Sequence, residues 1–179
     1  METGFDREKL KDAMHYVIAT AGGRPGFGAT KLYKVLWFSE ARSFVLYNRP
    51  LFNATFVREK HGPVPKLGKI VREELVSDGR IKEWKDQSGN FAQWRFRSLM
   101  PASLDRFSQP ERDTLHYWIQ HIDKDHTAAS ISEQSHDYGW EIARMGEHLP
   151  LHAFLAERLR DPTEVEISAA RSRLGYLGL

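Results

Sequence analysis

The segment KLYKVLWFSEARSFVLY, residues 31–47, is rich in apolar and aromatic side chains. Eleven of the sixteen residues from Leu32 to Tyr47 are apolar or aromatic. A helix that is apolar nearly all round is buried on several sides, and sixteen helical residues span roughly 24 Å. The run is shorter and more charged than the stretch of about 20 apolar residues that spans a bilayer. We therefore predict a central, buried helix at about residues 31–47.

The following segment, NRPLFNATFVREKHGPVPKLGKIVREEL, covers residues 48–75. Proline fixes its own φ angle and biases the preceding residue toward extended geometry. The two prolines of Lys60–Pro65 therefore predict a stiff, defined loop, and Pro65 suits the first turn of a helix. Apolar residues at helical spacing then predict a helix over residues 64–75, ended by Asp78-Gly79.

The rest of the chain adds helices and one hairpin to this centre. Helical spacing predicts a helix over residues 10–21 and another after the Ser108–Glu111 capping box. Alternating, aromatic-rich strands predict a β-hairpin at about residues 80–97, with Trp94 and Phe96 in the core. The expected fold class is α+β, mainly α. We expect one domain over residues 1–160 and a C-terminal helical extension over 161–179, packed on the same domain.

Composition favours an ordinary globular protein. The chain has 179 residues, 41% of them apolar and 28% charged, which is enough to bury about 70% of the unfolded surface in one domain. It contains no cysteine, so disulfides, cysteine-ligated metals and thiol nucleophiles are excluded. Its charged N-terminus resembles no signal peptide, and we expect a cytoplasmic protein with no membrane association.

Several segments in order resemble one family. The sequence resembles the Panacea-domain antitoxins, the SocA/GepA-like phage-associated proteins, which show a lysine-containing aromatic helix, a Pro-Leu-Phe turn and a Gly-Pro-Val loop leading into a helix. Looser similarity extends over residues 10–155 and includes the segments 131–140 and 146–151. The matching residues of the three clearest segments are Lys31, Leu32, Lys34, Val35, Leu36 and Trp37; Pro50, Leu51 and Phe52; and Lys60, His61, Gly62, Pro63 and Val64.

The resemblance implies an antitoxin that neutralises a cognate protein toxin by direct binding. The toxin would be encoded by the adjacent gene, and in some family members the antitoxin delivers its partner to a protease. A stiff loop loses little entropy on binding, so the expected partner-binding residues are Lys60, His61, Gly62, Pro63, Val64 and Pro65. The alternative is a loop that merely orients the next helix.

A second hypothesis is a winged-helix-like DNA-binding regulator. Residues 58–97 carry ten basic and six acidic side chains, and a helix followed by a basic hairpin resembles a winged-helix arrangement. A positive segment is equally compatible with an ordinary solvated surface. The phosphate contacts expected under this alternative are Lys66, Lys69, Lys85, Arg95 and Arg97.

An enzyme is the third hypothesis, and the sequence supports it least. His116, His121 and His126 are spaced by five, which on a helix turns each about 140° from the last, so we expect that they cannot share a face. Ser135-His136-Asp137 are consecutive, whereas a catalytic triad converges from separated segments. Residues 24–28 lack the ending of a phosphate-binding loop. We therefore expect no catalytic residues, no cofactor and no metal.

Overall fold

The computed structural model describes residues 4–88 and 91–156, and the expected C-terminal extension lies outside them. The fold class is α+β, mainly α, as predicted. Helices surround one long central helix, and two small antiparallel sheets cover parts of it. The elements are α1 (Arg7–Ala21), α2 (Ala29–Tyr47), β1 (Phe56–Glu59), β2 (Gly62–Pro65), α3 (Gly68–Ser77), β3 (Ile81–Ser88), β4 (Phe91–Ser98), α4 (Gln109–Asp125), α5 (Ala128–Gln134), α6 (Tyr138–Ile142), β5 (His148–Leu149) and α7 (Ala153–Ala156).

Helix α2 is the predicted central helix. Every residue from Lys31 to Ala41 is buried, which confirms the prediction for this part of the apolar run. The prediction is wrong for the last turn, where Leu46 and Tyr47 are exposed. The helix contacts α1, α4, α5 and β2. It begins after Gly28 and ends at Asn48, whose φ of 50° is left-handed. The buried positions include three charged side chains, Lys31, Lys34 and Glu40.

The segment expected as a loop is the second strand of a hairpin. Residues 62–65 pair antiparallel with β1, in the register Glu59↔Gly62 to Phe56↔Pro65. The prolines hold the segment extended. An edge strand tolerates them because its outward side has no neighbouring strand that needs an N–H donor. The next helix consequently begins at Gly68, four residues later than predicted. With β5 paired to the other side of β1, the sheet order is β2-β1-β5.

The second hairpin and the core around it agree with the sequence. Strands β3 and β4 pair from Ile81↔Ser98 to Ser88↔Phe91. Phe96 is completely buried, and Trp94 is half-buried against the same core. Helix α4 starts at the predicted capping box, in which the Glu111 carboxylate accepts from the Ser108 backbone N–H at 2.8 Å.

Candidate functional site

Three segments that resemble the antitoxin family meet at one point. Lys34 of α2 is 1% exposed, and its ammonium donates a hydrogen bond to the Pro63 carbonyl at 2.8 Å. From the other side, the Ser132 hydroxyl of α5 donates to the His61 carbonyl at 2.9 Å. The β1–β2 hairpin is therefore held between the central helix and α5. We call Lys34, Gly62, Pro63, Ser132 and Ser135 the hairpin clasp.

Gly62 is required by the shape of the hairpin clasp. Its φ is +91°, in the left-handed region that disfavours L side chains. A Cβ placed there would lie 2.2 Å from the Ser135 hydroxyl oxygen and 2.7 Å from the Lys34 nitrogen. The position thus has neither the conformation nor the space for a side chain, because two elements contact the hairpin turn directly.

The clasp contains a buried cation. Burial lowers the pKa of Lys34 to about 7, from an ordinary value of 10.5, and the nearby Asp137 carboxylate raises it by a smaller amount. Removal from water penalises the charged form of an amine. The hydrogen bond to the Pro63 carbonyl partly compensates that penalty, since an ammonium is a strong donor to a carbonyl oxygen.

An aromatic stack lies beside the clasp. The rings of His136 and Trp140 are parallel within 7°, with centroids 3.6 Å apart. The Arg58 guanidinium lies 4.1 Å from the Trp140 ring centroid and donates through Nε to the Trp140 carbonyl at 2.8 Å. The Trp140 indole N–H in turn donates to the Glu59 carbonyl at 3.0 Å. Strand β1 is therefore fixed to α6 by hydrogen bonds in both directions.

The His136–Trp140 stack lies close to two basic side chains, Lys34 and Arg58. The pKa of His136 is lowered, first by burial and then by repulsion from Lys34 and Arg58. A neutral imidazole is consequently favoured at this position. The structure therefore gives the His136 ring a stacking role on Trp140.

A second buried charge fixes the Pro-Leu-Phe turn. The Glu40 carboxylate is fully buried and accepts from the backbone N–H groups of Phe52 and Ala54, both at 2.8 Å. Burial raises the pKa of Glu40 to about 7, and the backbone hydrogen bonds oppose that rise. Helix α2 thus anchors two family segments with two buried side chains of opposite charge.

A hydroxyl group and a small cavity lie in this region. The Ser135 hydroxyl donates to the Ser132 carbonyl at 2.6 Å, so its proton is directed to a backbone oxygen rather than to a general base. A cavity of about 240 Å³ lies nearby, lined in part by Tyr33, Lys34 and Val64. That volume is below the 300–1,000 Å³ of usual small-molecule sites.

The structure divides the predicted partner-binding residues into two groups. Lys60 and His61 form the exposed turn of the β1–β2 hairpin. The other four are held inside or partly inside the domain, where Gly62, Pro63 and Pro65 are buried and Val64 is half-buried.

The residues expected to contact DNA are not brought to one face. Lys85 pairs with Trp94 and lies 5.3 Å from its ring centroid, on the core-side face of the β3–β4 hairpin. Arg95 and Arg97 lie on the opposite face because they alternate with Trp94. Lys66 and Lys69 are exposed, and only Lys69 belongs to α3.

Sequence reasoning missed the groups that join these segments. Lys34 and Glu40 lie within the apolar run of α2, and a charged residue inside such a run is itself a signal of a buried partner. The serines of α5 were placed in a family-like segment, but their contact with a hairpin about seventy residues away has no local signature.

Comparison of the sequence with known protein families found a matching family model. The family model described as "Antitoxin SocA-like, Panacea domain" matches residues 32–141, which is more than half of the chain. This match defines a Panacea-domain protein. The chain belongs to the SocA-like antitoxin family. Searches among curated proteins and among solved structures found no match.

The helices of the described residues were compared with the requirements for crossing a membrane. Across residues 4–88 and 91–156, no helix combines the length and the apolar character that crossing a bilayer requires.

Proposed function

We propose that this protein is a non-catalytic antitoxin that neutralises a cognate protein toxin by binding it directly. Membership of the SocA-like antitoxin family carries the proposal. The hairpin clasp supports it, because the family-like segments build one rigid surface feature rather than a cleft with converging reactive groups. Neutralisation by blocking and neutralisation by delivery to a protease both begin with that complex.

The proposed contact is the turn of the β1–β2 hairpin. Lys60 and His61 are exposed there, while the Ser132 hydroxyl holds the His61 carbonyl from inside. Because the turn is already fixed, its ordering costs little free energy when a partner binds. The buried residues of the segment serve as its support, and the two exposed side chains supply the contact.

A rescue experiment with the adjacent gene tests the proposal. The neighbouring open reading frame is expressed alone and together with this protein, and growth and co-purification are scored. We expect toxicity that this protein relieves, together with a co-purifying complex. A harmless neighbour that never co-purifies would contradict the proposal.

A charge-reversal pair then tests the contact surface. Lys60→Glu places a negative charge on the hairpin turn, and Lys69→Glu places the same charge on α3, where the lysine side chain is 79% exposed. We expect Lys60→Glu to weaken the complex and growth rescue while Lys69→Glu leaves both unchanged. Equal effects of the two variants would assign the contact to another surface.

Whether the antitoxin blocks the toxin or delivers it is resolved by toxin lifetime. Toxin abundance is followed after synthesis stops, with and without the antitoxin. A shortened lifetime that depends on a host protease indicates delivery, and an unchanged lifetime with full rescue indicates blocking.

A further inference from the structure

Two histidines at the junction of α4 and α5 lie much closer than their spacing on a continuous helix would allow. The Nε2 atoms of His121 and His126 are 3.4 Å apart. Helix α4 ends at Asp125, and His126 has extended backbone angles. The expectation that these two histidines cannot share a face is therefore wrong, because the helix stops between them.

The hydrogen bonds of this pair are compatible with protons on the outer nitrogens of both rings. The His121 Nδ1 is 2.8 Å from an Asp125 carboxylate oxygen, which can only accept, so Nδ1 carries the proton. The Ser130 hydroxyl donates to the Thr127 carbonyl and accepts from the Thr127 N–H. With its proton directed to Thr127, the same oxygen can accept from His126 Nδ1, which lies 3.2 Å away. In neutral rings, both Nε2 atoms then present lone pairs to each other.

In that protonation state the two lone pairs repel unless a cation lies between them, whereas a proton on one Nε2 makes the contact a hydrogen bond. Zn–N bonds of 2.0–2.1 Å at a tetrahedral angle separate two nitrogens by roughly 3.3–3.4 Å. The ring centroids would then be roughly 5 Å apart, and the observed separation is 5.0 Å, with the rings tilted by 76°. The pair thus has the spacing of two imidazole ligands of a single ion.

We propose that His121 and His126 form a zinc-binding site, with Asp125 and Ser130 as the groups that orient the two rings. A carboxylate or hydroxyl on the outer nitrogen commonly fixes a metal-binding histidine in this way. In residues 4–88 and 91–156, no group of three or more His, Asp or Glu side chains is placed to hold a metal. The site therefore supplies two ligands, and water or a partner's side chain completes the coordination.

Zinc titration of the full-length chain, without a histidine tag and after chelator treatment, tests the site. We expect one equivalent of Zn²⁺ to bind the unaltered protein, and His121→Gln and His126→Gln each to lose at least tenfold in affinity. Asp125→Asn retains both ligands and should lose about tenfold. Unfolding midpoints measured in chelator verify that each variant remains folded.

Two control variants separate this site from other histidines. His116→Gln alters the same helix, but His116 bonds to the Tyr16 hydroxyl at 2.7 Å, away from the pair. The double variant of His148→Gln and His152→Gln removes the exposed pair near the end of the described chain. Both should bind zinc as the unaltered protein does.

Three results would overturn the proposal. The first is the absence of stoichiometric zinc binding, which would leave a shared proton as the bridge between the rings. The second is unchanged zinc affinity in the His121 and His126 variants. The third is loss of binding in the double control variant, which would assign the ion to the exposed pair.

Discussion

Gly62→Ala is expected to destabilise this protein more than its small size suggests. An L residue at the left-handed φ of Gly62 costs about 1–2 kcal/mol. The added methyl group would also lie 2.2 Å from the Ser135 oxygen and 2.7 Å from the Lys34 nitrogen. Overpacking of this kind typically costs about 1–3 kcal/mol, so the total loss should be about 2–5 kcal/mol.

Gly79→Ala is the matched control. Gly79 has a φ of +68°, and a Cβ there would meet nothing within 4 Å. Gly79→Ala should therefore lose only the free energy of placing an L residue in a left-handed conformation, about 1–2 kcal/mol. The difference between the two variants measures the clash inside the hairpin clasp.

Urea denaturation measures the loss in free energy of unfolding for both variants, and equal m-values show that the variants can be compared directly. Thermal melts should separate the two variants by roughly 2–12 °C, since 1 kcal/mol shifts the midpoint by about 2–4 °C at this size. Ser135→Ala removes the nearer clashing atom, so a double-mutant cycle with Gly62→Ala should show a favourable coupling. Equal destabilisation by Gly62→Ala and Gly79→Ala, or no coupling to Ser135, would refute this account of the clasp.

Three further variants test the buried groups of the site. Lys34→Met should abolish a rise in stability of up to about 5 kcal/mol between pH 7 and 10.5, because the lowered pKa makes the unfolded chain bind more protons there. Glu40→Gln should abolish a fall in stability of up to about 3 kcal/mol between pH 4.5 and 7, where the raised pKa makes the folded chain bind more protons. Urea midpoints measured across both pH ranges check the sign of both effects. Variants with the same pH dependence as the unaltered protein would contradict them. Trp140→Phe removes the indole hydrogen bond to the Glu59 carbonyl and keeps an aromatic ring beside His136. The variant should lose about 1 kcal/mol of stability. An unchanged urea midpoint would show that this bond contributes nothing.

The DNA-binding alternative has a separate test. Neutralisation of several phosphates makes affinity fall steeply with salt. Since the hairpin directs Lys85 and Arg95 to opposite faces, we expect binding to an operator fragment to be weak and to change little when either side chain is removed. Tight, strongly salt-dependent binding that both lysine and arginine variants weaken would restore that alternative.

Much of the fold was predictable because its signals are local. The apolar run of α2, the capping box at Ser108 and the alternation of the β3–β4 hairpin each specify one element from neighbouring residues. The β1–β2 hairpin was missed because its prolines favour both a stiff loop and an extended edge strand. Only its pairing with β1 distinguishes the two, and pairing is a property of the folded chain.

The candidate site was predictable in its parts and not in its assembly. The Lys60–Pro65 segment was identified from its stiffness and its resemblance to the family. The contacts of Lys34 and Ser132 with that segment join residues far apart in sequence, so no spacing rule reports them. The approach of His121 and His126 depended on where α4 ends, which is the least certain feature of any helix predicted from sequence.

The outer edge of β2 has a consequence for how this protein meets other chains. An unpaired strand edge invites addition of a further strand, either from a partner or from another copy during aggregation. At this edge Pro63 and Pro65 supply no N–H groups, and the Lys34 ammonium already occupies the Pro63 carbonyl. This edge therefore offers few free backbone groups to a further strand, and β2 is a poor template for sheet growth. Under the proposed function, a toxin would contact this hairpin through side chains rather than by strand addition.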